Sequence, residues 1–405
     1  MKACGLIVEY NPFHNGHRYH IEKAKEASKA DCMIAIMSGS FLQRGEPAII
    51  DKFHRAKAAL EAGVDIVLEL PFVYAVQNSD IFANGAVKSL HEIGVNSICF
   101  GSESGNISFF LHAYEKYKEK EPFYKETLRK MLDQGLSFPE ASRYAYESIG
   151  LTANEIDLSQ PNNILGYSYV KTILDNQFQV EPLTIKRTKN NYHDEEITNP
   201  IASATSIRKE IFTNRRITEK VSITMPEGTN QQLKTYKEKS TTLHEWEGYF
   251  PLLHYRVMTM SHEELAGIHG INEGLEYRIK KTAKQATSIN EWIEMIKTKR
   301  YTRTRLQRIF VHILTNTKKN DIEKLINKTP VPYIRILGIT KTGQNYLNMN
   351  KKTIDVPLLF RFNRNPHPMM ELEENASNAY YSILPPHSRK MLFKQELGSP
   401  IIVKE

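Results

Sequence analysis

The sequence contains little cysteine and no long apolar run. Its 405 residues include only Cys4, Cys32 and Cys99, which lie far apart and form no C-x-x-C pair. This spacing argues against a disulfide framework and a cysteine zinc site, and the apolar surroundings of each cysteine predict buried free thiols. No segment approaches the roughly 20 apolar residues of a membrane span, and the first apolar run is too short for a signal peptide. We therefore expect a soluble cytoplasmic protein.

Three common signatures of nucleotide and acyl chemistry are also missing from the sequence. The absence of G-x-x-x-x-G-K-[ST] excludes a P-loop, and the absence of G-x-G-x-x-G leaves a dinucleotide fold without support. There is no G-x-S-x-G nucleophile elbow either, so nothing indicates an acyl-serine route.

Charge and length set the outer limits of the interpretation. Lys and Arg number 54 against 46 for Asp and Glu, which gives a net charge of +8 and an isoelectric point near 9.0. This excess indicates an anionic partner only if it is concentrated in one region. The length favours two domains of roughly 200 residues each, and 40% hydrophobic residues suffice for real cores.

Apolar strands alternate with helical patterns through the first half of the chain. The strand candidates are "ACGLIVEY", "CMIAIMSG", "DIVLEL", "NSICFG" and "QVEPLTIKR". Their apolar residues are continuous rather than alternating, which is typical of strands covered on both faces in a parallel sheet. We predict an α/β fold with a doubly wound sheet and a ligand at the carboxyl ends of its strands.

The change in sequence texture predicts where domains begin and end. Residues 109–150 are helical and charged, which indicates an insertion within a first domain spanning 1–215. The polar stretch 216–242 breaks the apolar rhythm and is predicted to be a linker. Residues 243–405 are mostly helical, with short strand-like runs such as "YIRILGIT", and form the predicted second domain.

The stretch "NPFHNGHRYH" follows the first predicted strand and has three interpretations. Imidazoles at His14, His17 and His20 advance about 300° around a helix, so they do not face one metal ion. An ordinary polar turn built on Pro12 and Gly16 is the simplest alternative. The position nevertheless favours a phosphate site, because a helix start after the first strand directs free N–H groups toward an anion.

Two motifs carry a family resemblance. "HNGH" at 14–17 resembles the HxGH signature of the nucleotidyltransferase and class I aminoacyl-tRNA synthetase superfamily, and "SATSIR" at 203–208 resembles its second signature. Together with "MSGSFLQRGEPAIIDKFHRAKAAL", "FGSE" and "PNNILG", they make nearly the whole chain similar to the bacterial tRNA(Met) cytidine acetate ligases. The resemblance implies a Rossmann-like, HUP-like catalytic domain. It also implies activation of acetate with ATP, Mg²⁺ accompanying the nucleotide, and acetylation of N4 of the wobble cytidine of elongator tRNA(Met).

The resemblance also implies roles for individual residues. His14 and His17 would contact the triphosphate and the α-phosphate transition state, Thr205 and the Ser203 helix start would hold the terminal phosphates, and Arg208 would act as a charged clamp. The implied ATP-binding residues are Ile7, Val8, Glu9, Tyr10, Asn11, Pro12, Phe13, His14, Asn15, Gly16, His17, Arg18, Tyr19, His20, Gly101, Asn162, Arg187, Ser203 and Thr205.

Each of these positions also has a simple structural alternative. Gly101 fits a turn glycine, Asn162 fits a helix cap, and Arg187 fits plain solvent exposure. The loop "SGSFLQRGEPA" contributes Ser38, Gln43, Arg44 and Glu46 as candidates for an acetate or cytidine pocket, with a structural Arg44–Glu46 contact as the alternative.

Two further acidic residues, Asp65 and Glu69, fall on the third predicted strand. They are possible magnesium ligands, but capping roles at the strand are the more usual ones for such residues. The metal ligands are otherwise not identified by the sequence.

A basic run at 295–320 contains no acidic residue, and it carries an apolar side. Such runs are usually solvated helix faces, yet an all-positive face favours phosphate binding with salt-dependent affinity. Tyr301 and Tyr346 are candidates for base stacking. The predicted tRNA-binding residues are Lys297, Lys299, Arg300, Arg303, Arg305 and Arg308.

The sequence thus predicts an ATP-dependent ligase that forms acetyl adenylate and acetylates a tRNA cytidine. Two rivals remain open at this point. A small-molecule adenylyltransferase would leave the basic second half unexplained, and a non-enzymatic RNA-binding protein would bind tRNA without releasing pyrophosphate. The sequence does not indicate the oligomeric state.

Overall fold

The computed structural model describes residues 1–153, 155–187, 201–326, 330–362 and 367–403. Its strands are β1 (Ala3–Val8), β2 (Cys32–Ser38), β3 (Ile66–Leu70), β4 (Ser97–Ser102), β5 (Thr152–Ala153), β6 (Ile156–Asp157), β7 (Glu181–Lys186), β8 (Ile334–Ile339), β9 (Leu358–Leu359) and β10 (Ile401–Ile402).

The helices fall into three groups along the chain. Those up to residue 175 are α1 (Asn15–Ser28), α2 (Lys52–Glu61), α3 (Phe72–Ala75), α4 (Ser79–Glu92), α5 (Ile107–Asp133), α6 (Phe138–Ser148) and α7 (Pro161–Asp175). The middle group is α8 (Ala204–Asn214), α9 (Glu219–Ser222), α10 (Glu227–Ser240), α11 (Phe250–Thr259), α12 (His262–Ala266), α13 (Leu275–Ala283), α14 (Ile289–Ile296), α15 (Arg303–Leu314) and α16 (Lys319–Ile326). The last group is α17 (Lys341–Asn350), α18 (Pro368–Tyr381) and α19 (Pro386–Phe393), and short 3₁₀ helices span Trp246–Tyr249 and Lys394–Leu397.

One large sheet organises these elements. Its strand order is β10-β8-β3-β2-β1-β4-β7, and β9 pairs with β8 beside this path. The strands from β3 through β2, β1 and β4 to β7 are all parallel, whereas β8 runs antiparallel to β3. The chain therefore winds outward from β1 in both directions, and the predicted doubly wound α/β fold is confirmed.

Helices cover both faces of the central strands. Leu6 and Met37 belong to a core shared with α1 and α2, whereas Ile36 and Leu68 belong to a core shared with α4. Because neighbouring residues of each strand point to opposite faces, both sets must be apolar. This explains the continuous apolar runs in the sequence.

The helical insertion predicted at 109–150 corresponds to α5 and α6, which lie between β4 and β7 in the chain. These helices pack against each other and against α7. Phe110 and Ala145 are buried in the main core, so the insertion is an integral layer of the domain.

The structure differs from the predicted linker at 216–242. This stretch contains α9 and α10, and α10 packs on α2. Leu233 and Tyr236 of α10 are fully buried, while its charged residues face outward. The prediction relied on the polar composition of the whole stretch. It missed an amphipathic helix whose few apolar residues lie on one face.

The second half of the chain divides differently from the prediction. Helices α11 to α15 have a core of their own, centred on Leu253, Trp292 and Phe310. The later strands β8, β9 and β10 instead join the sheet of the first half. The sheet therefore contains residues from both sides of the proposed boundary at 243, and residues 188–200 of the predicted 1–215 domain lie outside the described residues.

A buried cluster of charges fastens the late strands to the early ones. Lys52 Nζ lies 2.5 Å from Glu69 Oε1 and 3.1 Å from Glu396 Oε2. Arg335 of β8 donates to Glu69 Oε2 at 2.8 Å and to Glu396 Oε2 at 2.9 Å. Glu373 Oε2 accepts from the backbone N–H of Phe72 at 2.8 Å. Each cation is thus paired with carboxylates, which is the condition for burying it. Burial, followed by the charge of Glu69, raises the pKa of Glu373 to about 8.

Two expectations from residue scarcity can be compared with the structure. Cys4, Cys32 and Cys99 are buried free thiols, as predicted. Among the helices that the structure describes, none combines the length and the apolar character needed to cross a membrane.

Candidate active site

The histidine motif forms the junction between β1 and α1. His14 is the N-cap of α1, and its Nδ1 accepts a hydrogen bond from the backbone N–H of Gly16 at 3.1 Å. His17 Nδ1 accepts from the backbone N–H of His14 at 3.2 Å, and the two rings stack with centroids 3.7 Å apart. A Cβ atom on Gly16 would lie 2.9 Å from His14 Cε1, so a larger residue at this position would collide with the imidazole ring of His14.

These hydrogen bonds determine the protonation of both rings. A backbone N–H can only donate, so the Nδ1 atoms of His14 and His17 carry no proton and their Nε2 atoms do. Burial, followed by the charges of Arg187 and Arg208, lowers the pKa of His14 to about 3. Burial also lowers the pKa of His17 well below its usual range. Both imidazoles are therefore neutral hydrogen-bond donors at physiological pH.

His20 lies one turn further along α1. Burial lowers its pKa to about 4, with a smaller contribution from the charge of Arg187. Its Nε2 is buried and has no hydrogen-bond partner among the described residues. His14, His17 and His20 all line the same cavity, which extends from α1 to α15 and has a volume of 1220 Å³.

The second motif contributes the start of α8. The Ser203 side chain is the N-cap and accepts from the backbone N–H of Ser206 at 3.0 Å, and Ser203 and Thr205 both line the cavity. Arg208 donates to the carbonyl oxygen of Asn11 and to Glu46 Oε2, each at 2.8 Å. The two signatures therefore meet at one site, and Arg208 joins the β1–α1 loop to the loop after β2.

Gly101, Asn162 and Arg187 line the cavity on the side of β4 and β7. A Cβ atom on Gly101 would lie 3.2 Å from Arg187 Cγ, so the glycine gives room to that arginine. Asn162 donates through Nδ2 to Glu103 Oε1 at 2.6 Å, and Glu103 also accepts from the backbone of Asn163 at 2.7 Å. Glu103 thus caps α7 and orients Asn162, a role that the quoted "FGSE" contained but the sequence reasoning did not assign.

The loop after β2 forms another wall. Gln43 donates through its backbone to Glu9 Oε1 at 2.7 Å and through Nε2 to the carbonyl oxygen of Gln77 at 2.8 Å. Burial raises the pKa of Glu9. Gln43, Arg44 and Glu46 line the cavity, and the carboxylate of Glu46 pairs with Arg208.

Several predicted site residues lie away from the cavity. Ser38 is fully buried behind Glu9, and Phe13 is buried against Tyr10, with ring centroids 4.7 Å apart. Asn15 donates to the carbonyl oxygen of Ile223, and Arg18 pairs with Glu22 at the surface. Pro12 does not line the cavity either. The other predicted residues of the loop do line it, namely Ile7, Val8, Glu9, Tyr10, Asn11, His14, Gly16, His17, Tyr19 and His20.

The predicted tRNA-binding residues separate into two sets. Lys297, Lys299 and Arg303 do not line the cavity, and Lys297 and Arg303 pair with Glu294 at 3.3 and 3.2 Å. Arg300, Arg305 and Arg308 do line it. The run is therefore not uniformly positive once folded, because Glu294 and Glu273 supply counter-charges.

The tyrosines suggested for base stacking are packed instead. Tyr301 is 8% exposed and donates to the carbonyl oxygen of Asn272 at 3.0 Å. Tyr346 is 1% exposed and donates to the carbonyl oxygen of Gly94 at 2.8 Å. Neither presents a free ring face to a nucleotide.

The far end of the cavity includes residues that sequence reasoning missed. Gln77 follows α3, and its Oε1 lies 3.1 Å from Nε2 of His269, whose ring centroid is 4.8 Å from that of His312. These three residues are remote in sequence and belong to no motif, so no local signal identifies them.

The described residues contain no cluster of three or more His, Cys, Asp or Glu side chains suited to a metal ion. Asp65 accepts from the backbone N–H of Met33 at 2.8 Å and from Thr340 Oγ1 at 3.0 Å, and Glu69 belongs to the buried charge cluster. Asp65 and Glu69 therefore have structural roles, as hydrogen-bond acceptor and as member of the buried charge cluster.

Comparison with known proteins agrees with this geometry. Residues 1–396 match the HIGH Nucleotidyl Transferase family. The chain is 55% identical over 403 residues to the tRNA(Met) cytidine acetate ligase of Oceanobacillus iheyensis, covering 100% of both chains. It is 44% identical to that of Bacillus subtilis over 383 residues, covering 94% of this chain and 92% of the relative.

Two solved structures have the same fold along the full length. The crystal structure of Thermotoga maritima TmcAL in its apo form I has a TM-score of 0.91, and the form bound with alpha-thio ATP has 0.86. Each is 34% identical in sequence and covers 100% of both chains. Taken with the paired signatures at one cavity, these matches show that the chain belongs to the tRNA(Met) cytidine acetate ligase family of HIGH nucleotidyl transferases.

Proposed function

We propose that this protein is an ATP-dependent ligase that activates acetate as acetyl adenylate and acetylates N4 of the wobble cytidine of elongator tRNA(Met). Family membership supports the reaction, and one observation carries its location: two neutral imidazoles direct Nε2 donors from a helix start into a large cavity. We place the reaction in the cytoplasm, where ATP, acetate and tRNA are together.

The first step needs donors that are already in position. An acetate oxygen attacks the α-phosphorus of ATP, and the bond from that phosphorus to the bridging oxygen of pyrophosphate breaks. Negative charge grows on the phosphoryl oxygens and the leaving group, so fixed donors lower the barrier. His14 and His17 supply two Nε2–H donors, and Arg187 supplies positive charge beside them.

The helix start at Ser203 is suited to the outgoing pyrophosphate. Ser203, Ala204 and Thr205 at the start of α8 line the cavity, and the first turn of a helix has free backbone N–H groups. The guanidinium of Arg208 lies 2.8 Å from the carboxylate of Glu46. A bound phosphate would share the guanidinium with that carboxylate or replace it. Mg²⁺, held by the triphosphate, would neutralise further charge there.

In the second step, N4 of the cytidine attacks the carbonyl carbon of acetyl adenylate. The bond to the AMP oxygen breaks, N4 gives up one proton, and AMP leaves. The cavity volume of 1220 Å³ exceeds the roughly 300–1,000 Å³ of ordinary ligand pockets. It therefore offers room for an adenylate and a nucleotide of the RNA together.

Binding of the tRNA outside the cavity is assigned to the basic residues around α15. Lys299 and Arg303 do not line the cavity, whereas Arg300 does. Contacts of such side chains with backbone phosphates give affinity that falls with salt. A wobble base already lies in a single-stranded loop, which keeps the cost of unstacking it to a few kcal/mol.

The test measures pyrophosphate release from ATP with and without acetate and tRNA, followed by mass analysis of the tRNA nucleosides. Acetate-dependent release with N4-acetylcytidine in the tRNA is the expected result. Release that ignores acetate and yields an adenylylated product would favour a small-molecule adenylyltransferase. Binding of tRNA without any release would favour a non-enzymatic RNA-binding protein.

A further inference from the structure

Three arginines line the cavity on its β2 and α15 side. Arg44 comes from the loop after β2, and Arg305 and Arg308 come from successive turns of α15. All three line the cavity. Residues three apart on a helix share a face, so Arg305 and Arg308 point to the same side.

Arg305 and Arg308 have no carboxylate partner among the described residues. The only polar contact of Arg308 there is a donation from Nη1 to the carbonyl oxygen of Gln43, at 3.4 Å. By contrast, Arg303 of the same helix pairs with Glu294 at 3.2 Å and Asn290 at 2.8 Å. Arg303, which does not line the cavity, is thus paired, whereas the two arginines that line it form no ion pair among the described residues.

Positive charges surround Arg308. Burial, followed by the charges of Arg305 and Arg44, lowers the pKa of Arg308 to about 10. Like charges held together in a half-buried site destabilise one another unless a ligand neutralises them. The start of α15 adds to the positive potential, since its first turn contains no acidic residue.

The positions of the three arginines are fixed by packing. A Cβ atom on Gly45 would lie 2.3 Å from the backbone nitrogen of Arg308, so the loop that carries Arg44 rests directly on α15. Trp246 Nε1 donates to the carbonyl oxygen of Gly45 at 2.9 Å. The guanidinium of Arg305 stacks on the ring of Tyr301 at 4.5 Å. Backbone contact and stacking therefore limit the movement of these side chains, so the site is preorganised.

We propose that Arg44, Arg305 and Arg308 bind a backbone phosphate that flanks the target cytidine, inside the cavity rather than on the outer surface. This rests on the proposed function. Planar guanidinium groups match phosphate oxygens in bidentate geometry. The strand order places Gly101 and Arg187 on the β4–β7 side of β1, whereas Arg44 follows β2 on the other side.

The test uses an RNA hairpin with the anticodon stem-loop sequence of elongator tRNA(Met). In one set of probes, a neutral methylphosphonate replaces the phosphate on the 5′ or the 3′ side of the target cytidine. Affinities are measured for the wild type, Arg305→Gln, Arg308→Gln and the matched control Arg303→Gln, each checked for folding by thermal unfolding. Arg305→Gln keeps the test valid if loss of the more enclosed Arg308 prevents folding.

We expect one of the two neutral linkages to weaken binding to the wild type about tenfold, as loss of a charge-assisted hydrogen bond does. Arg305→Gln should weaken binding of the unmodified hairpin by a similar factor, and the same neutral linkage should then have no further effect. Arg303→Gln should retain the full effect of the neutral linkage, whatever its own affinity, because that side chain faces away from the cavity.

Two results would overturn the proposal. The first is additive losses in Arg305→Gln and Arg308→Gln, which would mean that the arginines and the flanking phosphate do not interact. The second is loss of acetate-dependent ATP–pyrophosphate exchange in these variants, which would assign the cluster to the phosphates of the nucleotide. Failure of the proposed function is distinct, since the wild type would then show no acetate-dependent exchange and no N4-acetylcytidine.

Discussion

The imidazole rings of His14 and His17 stack at 3.7 Å, and a backbone N–H occupies the Nδ1 atom of each. Two uncharged rings can lie this close, whereas two imidazolium ions would repel each other strongly. The two backbone hydrogen bonds therefore fix both tautomers and leave two Nε2 donors at the start of one helix. Donors that are fixed before the reaction need no reorganisation as charge develops.

Replacement of either histidine by alanine should remove adenylation while tRNA affinity is retained. We expect acetate-dependent pyrophosphate exchange to fall by roughly 100-fold or more for His14→Ala and for His17→Ala, the usual cost of losing one fixed donor. His112→Ala is the control, since His112 is exposed and forms an ion pair with Glu155 at 3.6 Å at the surface. Full exchange activity in both active-site variants would refute this assignment.

The depressed histidine pKa values predict how stability changes with pH. In the unfolded chain an imidazole binds its proton near pH 6.5, whereas burial keeps His14 neutral to about pH 3 and His20 to about pH 4. As pH falls below 6.5, the unfolded state therefore takes up protons that the folded state does not. Each such group should lower the free energy of unfolding by about 1.4 kcal/mol per pH unit.

Urea unfolding at pH 7.5, 6.5 and 5.5 measures this slope. His20→Phe should reduce the slope by the equivalent of about one proton below pH 6. The adenylation rate of the wild type should show no inflection near pH 6.5 from these rings. Stability that stays constant from pH 7.5 to 5.5 would contradict the neutral state of the buried imidazoles.

Removal of Lys52 should destabilise the protein strongly. Lys52→Met would leave Glu69, Glu373 and Glu396 with Arg335 as their remaining cation in the buried cluster. Breaking a buried ion pair in this way typically costs about 3–5 kcal/mol. Lys57→Met is the matched control on the same helix, because Lys57 is half-exposed and lies 3.9 Å from Glu61. Denaturation midpoints that move equally in both variants would argue against the cluster as a source of stability.

Gly45 can be tested against a glycine with the same backbone conformation but free space. Gly45 has φ of 74° and Gly135 has φ of 83°, and a Cβ atom on Gly135 would meet nothing within 4 Å. Gly135→Ala should therefore cost about 1–2 kcal/mol, the penalty of left-handed backbone alone. Gly45→Ala should cost more and also weaken RNA binding, because it pushes the Arg44 loop off α15. Equal unfolding free energies for the two variants would show that the loop does not rest on the helix.

Features of the fold that depend on local sequence patterns could be predicted, and those that depend on distant contacts could not. The strands around β1 and the two signature motifs were predictable because their patterns are local: continuous apolar runs, and polar turns at strand ends. The pairing of β8 with β3 was not, since a six-residue apolar run does not reveal its partner far along the chain. The burial of α10 was missed because Leu233 and Tyr236 stand among many polar residues.

Within the site, the wall that carries the motifs was predicted and the opposite wall was not. The contact of the Gly45 loop with α15, and the meeting of Gln77 with His269 and His312, arise only from tertiary packing. Sequence reasoning also treated the basic run as one surface. The structure separates it, because helical geometry directs Arg303 outward and Arg305 toward the cavity.

The place of β8 beside β3 has a consequence for how the protein emerges from the ribosome. Glu69 is synthesised long before its partner Arg335, which is 266 positions later in the chain. At synthesis rates of about 5–20 residues per second, that interval is on the order of tens of seconds. Throughout it, the nascent polypeptide exposes an unpaired edge of β3, a feature that invites aggregation. Newly made chains should therefore depend on chaperone protection until translation is nearly complete.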